Sequence, residues 1–296
     1  MISPIARRLL PGFVRKSIRV RLGLWSLERR LRAERVLART AHRLPGELIV
    51  SLTSHPARFP TLPLLLACLK NQTVQPDRIV LWIGWDDMQR LKHVCPQSSL
   101  AGVEVEGCQD FGSFNKLVHT LQKFPDAFVV SADDDLYYSS TWLETLVSGY
   151  DTENPSIVCS RAHRIRFDAE GGLRPYRQWE WDVQDEASRM PCADILPTGM
   201  AGTLYPPQCL HPDVARSDLF LVLCPTGDDL WFYWMAYRQR TLVRKVGLVF
   251  PHQYLPRSQD ASLWATNIID NDVQLRALCS EFGMPTCSPK KVGVVD

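Results

Sequence analysis

Short apolar runs over residues 48–53, 78–83 and 127–132 recur between segments with helical spacing, and this rhythm leaves few folds open. Runs of four to six apolar residues suit buried strands and are too short for most buried helices. Amphipathic segments over 61–71 and 113–123 lie between them, with a short helix after Asp86 and Asp87 and a brief strand at 103–105. Strands of this length alternating with helices predict an α/β fold whose mostly parallel sheet is covered on both faces. Ligands of such a sheet gather beyond the carboxyl ends of its strands.

The second half is less regular. Residues 167–198 hold Gly171, Gly172, several prolines and the aromatics Tyr176, Trp179 and Trp181, the composition of a long functional loop region. A helix is predicted from about Asp228 through Arg238, then a strand over 242–250, an open stretch to about Pro256 and a final helix over 268–282. Apolar content of 45% with 22% charged residues is enough for a sizeable core. The net charge of +2 conceals an asymmetry, because residues 1–44 carry 12 basic residues against Glu28 and Glu34. That arm stands at +10 and the rest of the chain at −8.

The arm alternates basic and apolar positions and predicts one or two amphipathic helices, with Trp25 on the apolar side. One reading lays it on an anionic membrane surface; the other packs it on the body as a surface helix. Nucleic acid is not expected as a partner. No apolar run approaches the roughly 18–20 residues of a spanning helix, the longest, 62–69, being interrupted by Pro63. The N-terminus lacks the pattern of a secretory signal. Nine scattered cysteines with no C-x-x-C pair read as reduced thiols. The expected location is the cytoplasm, peripheral to the inner face of the membrane if the arm binds lipid.

Asp133, Asp134 and Asp135 directly follow the third apolar run. Adjacent carboxylates repel one another, so at a strand end they need a compensating positive charge. In an extended segment alternate residues point the same way, which would let Asp133 and Asp135 converge. A hard divalent cation held by carboxylates and substrate phosphates, Mn2+ or Mg2+, suits that arrangement. An acidic turn before the next helix is the plainer alternative.

The stretch Ser51, Leu52, Thr53, Ser54, the segment Asn71, Gln72, Thr73, the strand ending Trp82 and Ile83, Lys116 and the acidic triplet together resemble GT-A glycosyltransferases, in particular the family-2-like inverting bacterial enzymes of surface polysaccharide synthesis. The resemblance spans roughly 47–280 and implies a Rossmann-like GT-A domain over 45–285 behind the basic arm. Its donor half would cover about 45–138 and its acceptor half 139–285, with a tail over 286–296. By position, Thr53 and Ser54 would approach the nucleotide, and Asp86 or Asp87 the base or ribose. Lys116 would offset diphosphate charge. Asp133 and Asp134 would lie along the donor, Asp133 nearer the ribose, with Asp133 and Asp135 toward the metal and Asp135 as the direct ligand. Asp86 and Asp87 are equally suited to capping the next helix, and Lys116 to a solvated helix face.

A second acidic pair, Asp228 and Asp229, opens the helix that carries Trp231, Phe232, Tyr233 and Trp234. Aspartate is favourable at a helix start, yet two side by side exceed what capping needs. The resemblance places the catalytic base in a short acidic motif here, with Asp228 standing where the family has Glu; Asp229 is read as base and Asp228 as its support. A positioned carboxylate can take the acceptor hydroxyl's proton while a nucleoside diphosphate leaves. The glycine-bearing loop over 197–207 and His252 also match, His252 as a metal ligand or as a structural histidine. Arg161, Arg164 and Arg166 alternate and suit either an anionic ligand or a solvated face.

Several classes are excluded. No G-x-x-x-x-G-K-[ST] loop occurs. The segment 51–59 lacks the glycine-rich phosphate loop of nucleotidyltransferases, and the acidic triplet lies too late for an aspartyl phosphatase. The expected activity is metal-dependent inverting transfer from a nucleotide sugar, UDP being the expected nucleotide, to a glycan or lipid-linked acceptor. The alternative is a non-catalytic glycan-binding or scaffold protein of the same fold.

Overall fold

The computed structural model describes residues 12–36, 38–247, 253–256 and 264–285, without side chains for 12–21 and 264–269. His252, the tail 286–296 and the last part of the expected strand 242–250 lie outside the described residues. The chain begins with α1 (Gly12–Ala33), β1 (Thr40–Ala41), β2 (Leu48–Thr53), α2 (Leu62–Lys70), β3 (Val74–Gln75) and β4 (Arg78–Gly84). It continues through α3 (Met88–Val94), α4 (Gln97–Leu100), β5 (Glu104–Cys108), α5 (Asn115–Lys123), β6 (Phe128–Ala132) and α6 (Trp142–Ser148). The second half adds β7 (Ile157–Cys159), β8 (Ala162–Arg164), β9 (Ile195–Pro197), β10 (Thr203–Tyr205), α7 (Ser217–Leu223), α8 (Asp228–Arg238), β11 (Val243–Lys245) and α9 (Trp264–Phe282).

The central sheet has seven strands in the order β11-β7-β10-β6-β2-β4-β5. Within it β5, β4, β2 and β6 pair in parallel, β7 and β11 also pair in parallel, and β10 runs antiparallel to both its neighbours. This is the expected mostly parallel α/β sheet. Side chains of successive strand residues point to opposite faces, and β2 distributes its residues that way. Leu48, Val50 and Leu52 join the layer made by Leu62, Leu65 and Leu66 of α2 and by Trp142 and Leu146 of α6. Ile49 packs on the other face with Val80 and Trp82. These β2 side chains are 0% exposed, and each contributes about 1.5–3 kcal/mol by leaving water.

Further along that second face a larger core forms around α8. Phe114, Leu117, Val129, Cys159 and Tyr205 pack there with Trp231, Phe232 and Trp234. Helix α8 is buried almost all round, since the side chains from Leu230 to Ala236 are each 2% exposed or less.

Among the described residues the basic arm forms a helix across 12–33, and its described side chains show a body-facing edge. Leu27 is 2% exposed and joins the core beside α2. Arg30 Nη1 donates to Gln253 Oε1 at 2.8 Å, and the Tyr137 hydroxyl donates to Glu34 Oε2 at 3.1 Å. Leu22 and Trp25 remain exposed. No described helix is long and apolar enough to cross a membrane. The described cysteines are all free.

Candidate functional site

Strand order turns at β2, with β4 and β5 to one side and β6 to the other. Loops leaving β2 and β6 therefore diverge over one crevice, where open α/β sheets bind ligands. The register pairs Leu52 with Ala132, so Ser54 and the acidic triplet emerge side by side. Ser54 Oγ donates to Asp134 Oδ2 at 2.6 Å. Arg58, from the same loop, pairs with Asp134 and lies 3.3 Å from Asp135 Oδ2 through Nη2. Burial works against the Arg58 charge, but Asp134 and Asp135 outweigh it and raise its pKa.

The alternation expected for the triplet stops early. Strand β6 ends at Ala132 and the chain turns at Asp134 and Asp135, so these two share Arg58 while Asp133 faces elsewhere. The Tyr138 hydroxyl accepts the Asp133 N–H at 2.8 Å and closes that turn.

Asp133 faces Lys116, at the first turn of α5. This turn is pinned by buried hydroxyls: Ser51 Oγ bonds the Lys116 carbonyl and lies 2.7 Å from Thr120 Oγ1, which also accepts the Trp82 indole N–H at 2.7 Å. The Lys116 side chain is only 7% exposed, and its Nζ lies 2.8 Å from Asp133 Oδ1 and 3.1 Å from Asp228 Oδ2. One ammonium thus joins the acidic triplet to the start of α8. Burial favours the neutral amine, yet Asp133, Asp228 and Asp229 prevail and hold the Lys116 pKa well above its usual value.

Neither Asp228 nor Asp229 is the helix cap. Gly227 takes that place, and Gln274 Oε1 accepts its N–H at 3.0 Å. Asp229 Oδ1 accepts the Gly199 N–H at 2.8 Å. A Cβ at Gly199 would stand 2.9 Å from that oxygen and 3.0 Å from Lys116 Nζ, so a larger residue would crowd both charged groups. Burial, then the neighbouring Asp228 charge, push the Asp229 pKa up to about 8, with Lys116 acting in the opposite direction.

Beside this pair opens a cleft of about 120 Å³, lined among others by Arg161, His163, Tyr176, Trp181, Thr198 and Asp229. Tyr176 and Trp181 of the long loop region therefore form a wall next to the second acidic pair. Of the three alternating arginines, Arg164 pairs with Asp185 and Asp194, and Arg166 with Glu180.

The remaining expected site residues are placed as follows. Thr53 turns to its neighbour strand, its hydroxyl donating to the Trp82 carbonyl at 3.0 Å. Asp86 and Asp87 lie in the single turn Trp85–Asp87 past β4, at the same end of the sheet as the triplet. Asp87 occupies the N-cap position of α3 without a side-chain capping bond, and Asp86 is exposed. Neither belongs to the groups held by Arg58 and Lys116. His252 lies outside the described residues.

Sequence reasoning missed Arg58 and the role of Gly199. A signal for Arg58 was present: the triplet demands cations, and the loop after β2 is its neighbour in any doubly wound sheet.

Among the described residues no three His, Cys, Asp or Glu side chains group as an all-protein metal cage. A divalent ion completed by substrate phosphates needs only one or two carboxylates. Asp133 and Asp135, with side chains 26% and 15% exposed, retain surface for that type of site.

No protein-family model matches the chain, and no curated protein matches it. Among solved structures, it is similar to the 4-diphosphocytidyl-2C-methyl-D-erythritol synthase of Anaerococcus prevotii, with 11% identity, 78% of this chain and 99% of that one covered, and a TM-score of 0.43. The inositol-1-phosphate CTP transferase of T. maritima matches at 11% identity, with 79% and 98% covered and a TM-score of 0.40. The glucosyl-3-phosphoglycerate synthase of Mycobacterium tuberculosis, in complex with Mn2+, UDP and phosphoglyceric acid, matches at 13% identity, with 82% and 80% covered and a TM-score of 0.42.

Proposed function

We propose that the chain is a GT-A glycosyltransferase that moves a sugar, with inversion, from a nucleotide sugar to a glycan or lipid-linked acceptor. The supporting observation is Lys116, whose ammonium pairs with both Asp133 beyond β6 and Asp228 at the start of α8. It supports the reading because it sets Asp133, an expected donor carboxylate, near Asp228, the neighbour of the expected base Asp229. UDP is the expected nucleotide and surface polysaccharide the expected product.

Asp229 serves as the base. A proton acceptor works best with a pKa near the operating pH, and the half-buried Asp229, raised to about 8, is matched to that task. The Gly199 N–H orients its Oδ1, leaving the carboxylate to take the acceptor hydroxyl's proton from the cleft. Asp228 and Lys116 set the local charge. Asp135 would be the direct ligand of Mn2+ or Mg2+, with His252 as a further ligand, while Asp133, turned toward Lys116, would lie nearer the ribose. When bound, such a cation supplies charge neutralisation at the leaving diphosphate.

Nucleoside diphosphate release from UDP-, GDP- and dTDP-sugars, with and without Mn2+, tests this reading. One of these donors should raise the melting temperature, and Asp135→Ala should remove the Mn2+-dependent part of the rise. Asp229→Asn should keep donor binding while transfer falls about 10²–10⁴-fold, the range for a lost proton acceptor. In the wild type kcat/KM should rise with pH toward about 8, because only the ionised carboxylate accepts a proton. Full transfer by Asp229→Asn would sink the base assignment. Glycan binding without turnover of any donor would favour a lectin-like role.

The arm is proposed to rest on an anionic membrane surface at the cytoplasmic face. Exposed Leu22 and Trp25 share α1 with basic side chains, the Arg29 guanidinium lying 4.7 Å from the Trp25 ring centre. Trp25→Ser should reduce co-sedimentation with phosphatidylserine vesicles; unchanged partitioning would leave α1 a surface helix only.

A further inference from the structure

Arg161 differs from the arginines that follow it. Arg164 and Arg166 are neutralised by neighbouring carboxylates, whereas no carboxylate among the described residues pairs with Arg161. Its Nη1 donates to Thr198 Oγ1 at 3.1 Å, and its Nε is buried with no hydrogen-bond partner. A buried guanidinium N–H without an acceptor is costly, because folding has removed its water and supplied nothing in return.

His163 accentuates this need. Its Nδ1 accepts the Asp182 N–H at 3.0 Å, so the proton of the neutral ring sits on Nε2. Burial, then the Arg161 charge, drive the His163 pKa down to about 3, which keeps the ring neutral at physiological pH. Nε2 lies 3.4 Å from Arg161 Nη1. Two N–H donors therefore face each other and neither serves as acceptor for the other. An oxyanion placed between them would satisfy both.

Both groups line the cleft that also holds Asp228 and Asp229. The Trp181 ring centre lies 4.7 Å from that of His163 and extends an aromatic wall beside the two donors. A sugar entering the cleft would meet aromatic faces, a proton acceptor and a cation with unused donors.

We propose that Arg161, with His163, reads an acidic group, carboxylate or phosphate, on the acceptor sugar that enters beside Asp229. This inference rests on the glycosyl-transfer reading and narrows the acceptor to an acidic one. Direct binding to the full chain tests it, using methyl β-D-glucuronide, glucose 6-phosphate and methyl β-D-glucoside in titrations followed by NMR, with UDP titrated separately. At least one acidic sugar should bind about tenfold more tightly than the neutral one, as a charge-assisted bond provides. The arm that responds distinguishes carboxylate from phosphate. Arg161→Gln should erase the preference, Arg161→Lys should retain part of it, and UDP affinity should be unchanged in both. If Arg161→Gln fails to fold, the reduced preference of Arg161→Lys carries the test.

Equal binding of acidic and neutral sugars, binding of none of the three, or a preference that survives in Arg161→Gln overturns the proposal. A fall in UDP affinity with the sugar preference intact assigns Arg161 to the donor and overturns it as well. Should the wild type select acidic sugars through Arg161 yet bind no nucleotide, the acidic-sugar site stands and the glycosyl-transfer reading fails.

Discussion

The two acidic clusters are built alike in sequence and unlike in charge balance. The triplet beyond β6 faces two cations, Arg58 for Asp134 and Asp135 and Lys116 for Asp133. Among the described residues the pair opening α8 has only a share of Lys116, and Asp229 sits half-buried beside Asp228. A cluster with cations beside each carboxylate suits holding; Asp229, with less positive charge nearby, holds its proton more tightly, which suits proton transfer. Cation supply, not carboxylate number, separates the two proposed roles.

Removing the shared cation should have the largest effect. Lys116→Met leaves three carboxylates around an empty place and should cost about 3–5 kcal/mol in urea unfolding, less in acid, where the carboxylates take up protons. An unchanged midpoint would show that Lys116 does not link the clusters. Arg58→Met breaks only the first cluster; Asp134 keeps its Ser54 bond, and the expected loss is about 2–3 kcal/mol. A loss equal to or above that of Lys116→Met would reverse the comparison.

Gly199→Ala presses a methyl group between Asp229 and Lys116 and should cost about 1–2 kcal/mol in thermal melts. A neutral result would mean that the loop yields.

Asp229→Asn should act in the opposite direction, stabilising the fold by about 1 kcal/mol above pH 8, with the gain fading as the pH falls toward 4. The sign follows from proton counts: with a pKa near 8 folded and near 3.8 unfolded, the native carboxyl holds more proton between those values, so stability falls as pH rises through that window. A gain independent of pH would detach it from titration. Asp86→Ala should change stability least, within about 0.5 kcal/mol, because the residue is exposed; a fall in nucleotide affinity alone would mark it as a donor contact.

The first half was legible because its strands are regular. Expected runs at 48–53, 78–83 and 127–132 became Leu48–Thr53, Arg78–Gly84 and Phe128–Ala132, each buried over most of its length and so mainly apolar. The second half was harder to read. Its strands β7 to β11 are three residues each, too short for any periodicity to register. Both acidic clusters were visible, but the ions that balance them were not, because Arg58 is 76 residues from Asp134 and Lys116 is far from Asp228 along the chain.

By itself the sequence determined the α/β layering, the strand ends at which carboxylates collect and the α8 helix that follows the second pair. These follow from local periodicity, which neighbouring residues along the chain carry. Only the tertiary structure decided that Lys116 faces both clusters and that Arg161, unlike Arg164 and Arg166, is left without a carboxylate among the described residues. Charge balance and burial depend on groups brought together from distant parts of the chain, and no local pattern encodes that meeting.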